Sequence, residues 1–140
     1  MLTTNVPVDQ FTTFHPVTAK ADMDMDELRD LMAIHGIRHL PVFDGSKLAG
    51  VISERDIRLV SGLTVAEKLQ VRADDLMTVD PLVVDAKTPL EDVVRMMVEK
   101  KIGSAIVKDQ DDGLLGIFTA TDALNVLIQL IGKLPRSLAL

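Results

Sequence analysis

Apolar residues recur at helical spacing at Met25, Leu28, Leu31 and Met32, and from Arg38 the rhythm shortens to that of strands. Asp24-Met25-Asp26-Glu27 gives the helix a capped start with a carboxylate at N3, and Gly36 stands where a C′ glycine ends a helix. Two β-rich runs, Arg38 to Phe43 and Leu48 to Ile52, flank Asp44-Gly45-Ser46 and predict a hairpin. Pro41 confines its strand to an edge or to the side that needs no N–H. From Ser53 a helix carrying Ile57, Leu59 and Val60 is expected to run to the Ser61-Gly62 break. Upstream, Val17-Thr18-Ala19 reads as a brief strand after Pro16, while the first residues are polar and poorly patterned. Thr64-Val65-Ala66-Glu67 is a capping box, so a short helix is expected where the halves of the chain join.

The same succession then returns. Leu82-Val83-Val84 is the short strand, and Thr88-Pro89-Leu90-Glu91 is a capping box with proline at N1. Leu90, Val93, Val94, Met97 and Val98 form the apolar face of the helix that follows, with Lys100 and Lys101 at its negative end. Ser104 to Val107 and Leu114 to Phe118 are hairpin strands across Asp109-Gln110-Asp111-Asp112-Gly113. The last helix, from Thr119, carries Leu124, Val126, Leu127, Ile128, Leu130 and Ile131. It is apolar nearly all round and too short to span a bilayer, which takes about 20 residues, so it requires cover by protein. Gly132 and Pro135 stop it.

The recurrence is a repeat in the strict sense. Thr13, Pro16, Met32, Ile37 and Val42 meet Thr78, Pro81, Met97, Ile102 and Val107, each 65 residues later. One extra residue beyond Asp109 moves the offset to 66, at which Gly50 meets Gly116 and Asp56 meets Asp122. The chain therefore divides into a first repeat over 8–62, a helical linker over 63–72 and a second repeat over 73–132. Each repeat reads strand, helix, two strands, helix, and a unit unable to bury its apolar face alone does so against its copy.

The best-matched stretches are Gly50-Val51-Ile52-Ser53-Glu54-Arg55-Asp56 and Gly116-Ile117-Phe118-Thr119-Ala120-Thr121-Asp122. In each an apolar strand hands over to a helix with a hydroxyl at N-cap and an aspartate at N3. A hydroxyl, a carboxylate and free backbone N–H groups thus gather at one helix start, in duplicate. A capping box alone says nothing about ligands; the duplication is what adds weight to a site.

Composition narrows the function. The 140 residues suit one compact module, and 47% hydrophobic against 26% charged residues is apolar enough to hint at a further buried face. A net charge of −6 with no Lys/Arg cluster argues against nucleic-acid binding. The absence of cysteine removes disulfides, thiolate catalysis and cysteine metal sites together. No leader or membrane-length run opens the chain, so a cytoplasmic protein is expected. His35 and His39 are four apart, but Gly36 breaks the helix that would align them and no third ligand is evident, so no metal site is expected. The methionines read as core filler, the acidic hairpin loop as a solvated turn, and nothing pairs a nucleophile with a base. No enzyme and no catalytic cofactor are expected.

Together with Gly36-Ile37-Arg38-His39-Leu40-Pro41-Val42 and Lys101-Ile102-Gly103-Ser104-Ala105-Ile106-Val107, the two heptads make the chain resemble a tandem pair of CBS domains (cystathionine β-synthase domains, a Bateman module) over about 8–132. The resemblance implies an α+β fold of two β-α-β-β-α repeats, with small mixed three-stranded sheets flanked by helices and an approximate two-fold axis between copies. It also implies a homodimer, and a regulatory module that takes an adenosine ligand (AMP, ADP, ATP or S-adenosylmethionine) and acts on a separate, unknown partner protein. Carried over by position, it groups Thr119 and Asp122 with Arg38 and His39 in one cleft. The other cleft would hold Ser53, Asp56, Gly103 and Ser104, which supply no positive charge, so the two are expected to be unequal. Val17, Leu82, Val83 and Ile117 are the candidates to lie against the base. The rival reading is a structural association module whose heptads serve only as helix caps.

Overall fold

The computed structural model describes residues 6–111 and 113–135. A 3-10 turn at Val8–Gln10 leads into β1 (Thr13–Phe14), β2 (Ala19–Lys20), α1 (Met25–His35), β3 (His39–Asp44), β4 (Lys47–Ser53) and α2 (Glu54–Arg58). Then come α3 (Val65–Lys68), α4 (Ala73–Leu76), β5 (Val83–Asp85), α5 (Leu90–Lys100), β6 (Ser104–Lys108), β7 (Leu114–Thr119) and α6 (Ala120–Gly132). The result is the mixed α+β fold with two small mixed sheets that the resemblance implied.

Local chemistry accounts for most boundaries. The Asp24 carboxylate accepts from the backbone N–H of Glu27 at 2.9 Å, and Gly36 ends α1 in the left-handed region at φ 62°. Thr64 and Glu67 close the expected capping box on α3. Two boundaries differ from expectation. The helix expected to run from Ser53 to the Ser61-Gly62 break stops at Arg58, leaving Leu59 exposed. The expected box at Thr88 does not form either: Pro89 takes the N-cap position of α5 without a side-chain cap. The free N–H of Leu90 donates instead to the Val6 carbonyl at 2.7 Å, so a distant strand of chain satisfies a group that a local cap would otherwise serve.

Two compact units make up the chain. The first runs from Pro16 to Pro81, and the second joins the residues up to His15 with those from Leu82 onward. These units cut across the repeats, because each repeat's lead-in packs on the body of the other. In the first unit Ala73 N–H donates to Met23 O at 2.8 Å and Asp74 N–H to Ala21 O at 3.0 Å. In the second, Val8 N–H donates to Thr88 O at 2.8 Å and Asp9 N–H to Ala86 O at 3.1 Å, which are the matching positions one repeat on. Val8 and Ala73 are fully buried at the heads of these lead-ins.

In the first unit the sheet order is β2-β3-β4, with β2 parallel and β4 antiparallel to β3. Leu40, Val42 and Ile52 meet Met25, Leu28 and Met32 of α1 and Ile57 of α2 on one face. In the second unit the order is β1-β7-β6-β5. The lead-in adds β1 as a fourth, antiparallel strand, where the resemblance implied three. Val84, Ala105, Val107 and Phe118 face Val93 and Met97 of α5, with Val8 closing the cluster. Fully burying such side chains contributes about 1.5–3 kcal/mol each, which makes α1 and α5 integral to their sheets.

The exchanged lead-ins explain the two repeated glycines. A Cβ on Gly116 would collide with the backbone carbonyl of Thr13 and the Thr12 methyl, and a Cβ on Gly50 with the carbonyl of Thr78. Close approach of one backbone to another is what each glycine allows. By contrast, α6 has no buried residue, and Leu124, Leu127, Ile128 and Ile131 are all exposed. No helix among the described residues is long and apolar enough to cross a membrane.

Candidate functional site: two hydroxyl–carboxylate helix starts

Each heptad forms its capping box and holds something in reserve. In the second unit Asp122 Oδ2 accepts from the Thr119 backbone N–H at 2.8 Å and from the Thr119 hydroxyl at 3.1 Å, while Asp122 N–H returns to Thr119 Oγ1 at 3.3 Å. Asp122 Oδ1 meets the Thr13 hydroxyl only at a long 3.5 Å. In the first unit Asp56 Oδ2 accepts from Ser53 N–H at 2.8 Å and Asp56 N–H donates to Ser53 Oγ at 3.2 Å. A carboxylate offers about four lone-pair positions, so one oxygen can cap the helix while the other accepts from a ligand. Capping and binding are therefore compatible roles of one residue.

Strand register decides what shares a face with these groups. Thr13, Ile117, Ile106 and Val83 are successive partners across the second sheet, and Ser104 pairs with Thr119 two residues along. Since side chains two apart on a strand point the same way, all six lie on the face opposite the α5 core. An aliphatic row (Val83, Ile106, Ile117) thus borders a polar row (Ser104, Thr119, Thr13), with Asp122 held to it. Gly103 closes the helix start by accepting from Ala120 N–H at 3.0 Å. Leu82 packs instead against the α5-side core, and Val17 against the core of the first unit.

In the first unit His39 is the register partner of Ser53, on the face opposite Leu40 and the α1 core. Burial holds its imidazole below the usual histidine range; the Asp56 carboxylate pulls the other way, and the Arg38 guanidinium adds to the lowering. Arg38 stands at a bend just ahead of β3. Its side chain is 80% exposed and pairs with Glu54 at 3.5 Å.

Of the residues expected together, Ser53 and Asp56 share the first unit with His39 and Arg38, whereas Thr119 and Asp122 share the second with Gly103, Ser104, Val83 and Ile117. The resemblance grouped these residues in the crossed sense. Thr13 and Ile106 were not singled out from the sequence. Thr13 had a signal in its match to Thr78; Ile106 had none beyond strand alternation. Among the described residues no three His, Asp or Glu side chains are gathered as a metal site would need.

A CBS domain family model matches residues 8–62 and again 73–129. An inosine-5'-monophosphate dehydrogenase of Korarchaeum cryptofilum is 32% identical over 106 residues, a match covering 76% of this chain but 21% of that enzyme. A CBS domain-containing protein of Dictyostelium discoideum is 26% identical over 140 residues, covering 93% of this chain and 97% of its own length. CBSX2 of Arabidopsis thaliana, solved in complex with AMP, is 29% identical with a TM-score of 0.75, covering 89% of this chain and 98% of that one. With one family match on each repeat and a likeness that runs nearly end to end, the chain belongs to the CBS domain family, as a tandem pair.

Proposed function

We propose that this chain is a cytoplasmic, non-catalytic regulatory module that binds an adenosine ligand and acts on a separate partner protein. The observation that carries this reading is the face of the second unit, where a carboxylate oxygen, two hydroxyls and an aliphatic row stand side by side. An adenosine nucleotide calls on those chemistries: an acceptor for ribose hydroxyls, donors for phosphate oxygens, and apolar surface for the base, which exposed Val83 offers beside the buried Ile106 and Ile117. The likeness to CBSX2, solved with AMP, supports the same ligand class. Asp122 and Asp56 are the ribose acceptors in this reading, with Thr119, Ser53 and Ser104 as donors. Arg38 and His39 supply positive charge for a phosphate, Arg38 permanently and His39 when protonated.

Calorimetric titration with AMP, ADP, ATP and S-adenosylmethionine tests it. Saturable binding of at least one, weakened roughly tenfold or more (about 1.4 kcal/mol) by Asp122→Ala, is the expected result. No heat from any of the four in the folded protein would leave the association-module reading standing. That second reading has its own support in α6, whose Leu124, Leu127, Ile128 and Ile131 are exposed. We infer that a second copy of the chain covers them, giving a homodimer in either reading.

A further inference from the structure

We propose that the helix start of the first unit takes up a proton together with its nucleotide: the phosphate is held there against His39 as the imidazolium, so AMP binds more tightly as the pH falls from about 8 to about 6.5. This rests on the adenosine-ligand reading and adds a regulation to one of its two faces. The first unit repeats the face of the second with an imidazole in place of a hydroxyl. Thr78 bridges to Val51 as Thr13 pairs with Ile117, and Pro41 lies across from Val51 as Ile106 does from Ile117. His39 is then the partner of Ser53, where Ser104 is the partner of Thr119. A titratable ring thus stands beside one capped helix start, and a hydroxyl beside the other.

The groups around the ring decide what it can do. The charges that act on it are the Asp56 carboxylate of α2, whose Oδ2 accepts from Ser53 N–H at 2.8 Å, and the Arg38 guanidinium just ahead of β3. On the other flank of β3, β2 reaches only Val42 and Phe43. Arg38 is exposed and paired with Glu54 at 3.5 Å, so solvent and a carboxylate both weaken its charge. His39 is half-buried beside Ser53, where a charge is screened less. Burial keeps the unliganded ring neutral at neutral pH, against the pull of Asp56. A phosphate laid against it favours the charged form, as an anion within about 4–6 Å does. Binding and protonation are then linked: the complex holds one proton more than its separate parts, and affinity rises by up to about tenfold for each pH unit lost. Below about pH 6 the phosphate gains its own second proton and the trend ends. Ser104 has no proton to gain over this range, so the second unit shows no such dependence.

Calorimetry of AMP into Asp122→Asn, in which the face of the second unit is weakened, reads the first unit. Between about pH 8 and about pH 6.5, AMP affinity is expected to rise roughly tenfold and adenosine affinity to stay level. At about pH 7, AMP titrations in Tris and in PIPES, which differ in ionisation enthalpy, are expected to differ in heat by the uptake of up to about one proton per site. His39→Ser, which writes the Ser104 chemistry into the first unit, is expected to abolish both the pH trend and the buffer dependence. A level AMP affinity in Asp122→Asn, no proton uptake, the same trend for adenosine, or an unchanged trend in His39→Ser would each overturn the proposal and leave the ligand reading in place. AMP binding by the parent but not by Asp122→Asn at any pH would confine the nucleotide to the second unit and overturn it equally. Absence of AMP binding from both proteins would remove the reading and the proposal together.

Discussion

Asp122 gives one carboxylate oxygen to the backbone N–H of Thr119, at 2.8 Å, and keeps the other for a contact no tighter than 3.5 Å. The two roles can be separated by substitution. Asp122→Asn keeps an oxygen for the Thr119 N–H and is expected to melt within a degree or two of the parent, yet to lose AMP affinity roughly tenfold through the lost charge. Asp122→Ala also loses the bond to the Thr119 N–H, at about 1 kcal/mol, and keeps only the Thr119 half of the box. Calorimetry and thermal melts on both variants decide between them; an Asp122→Asn protein that binds AMP like the parent would remove the carboxylate from the site.

Arg38 and His39 divide the charge at the other helix start. Arg38→Ala is expected to weaken AMP while sparing adenosine, because only AMP has a phosphate. Identical AMP isotherms for Arg38→Ala and the parent would take the phosphate end away from Arg38.

The lowered His39 value has a sign that can be checked. Burial favours the neutral imidazole in the folded protein, so the unfolded chain, titrating near 6.5, takes up its proton first as the pH falls. The stability tied to neutral His39 is therefore complete above about pH 6.5 and declines as the pH drops from there toward the depressed folded value. His39→Gln is expected to flatten that part of the melting-temperature profile. Parallel profiles for the two proteins would show that His39 is not responsible.

Gly116 and Lys101 make opposite predictions about backbone space. Gly116→Ala forces a methyl against the Thr13 carbonyl and is expected to cost about 1–3 kcal/mol in a denaturant titration. Lys101 sits in the left-handed region at φ 55°, the place that Gly36 takes in the first repeat at φ 62°. Lys101→Gly is thus expected to stabilise by up to about 1 kcal/mol and Gly36→Ala to destabilise by a similar amount. A neutral Gly116→Ala would mean that the lead-in strand does not press on β7 as described.

For the uncovered α6 face, light scattering is expected to return twice the 15.3 kDa chain mass at micromolar concentration. Ile128→Asp, at a position 66% exposed, should bring that down to one chain mass without lowering helix content. A monomeric parent protein rules out the second copy as the cover.

What could be read from the residues alone was whatever operates over a few positions. The boxes at Ser53/Asp56 and Thr119/Asp122, the glycine stop at Gly36 and the two hairpins each rest on groups within a turn or two of one another, so local spacing specifies them. The repeat itself was legible because it is a statement about sequence. Tertiary structure decided the rest. Nothing local announces that Val8 bonds to Thr88 instead of its own repeat, or that Leu90 is served by Val6 and not by Thr88. It took strand register to put Ile106 and Thr13 beside Thr119, and His39 beside Ser53. Such contacts join residues far apart in sequence, where the order of residue types leaves the partner open and only the fit of two backbones, as at Gly116 against Thr13, selects it.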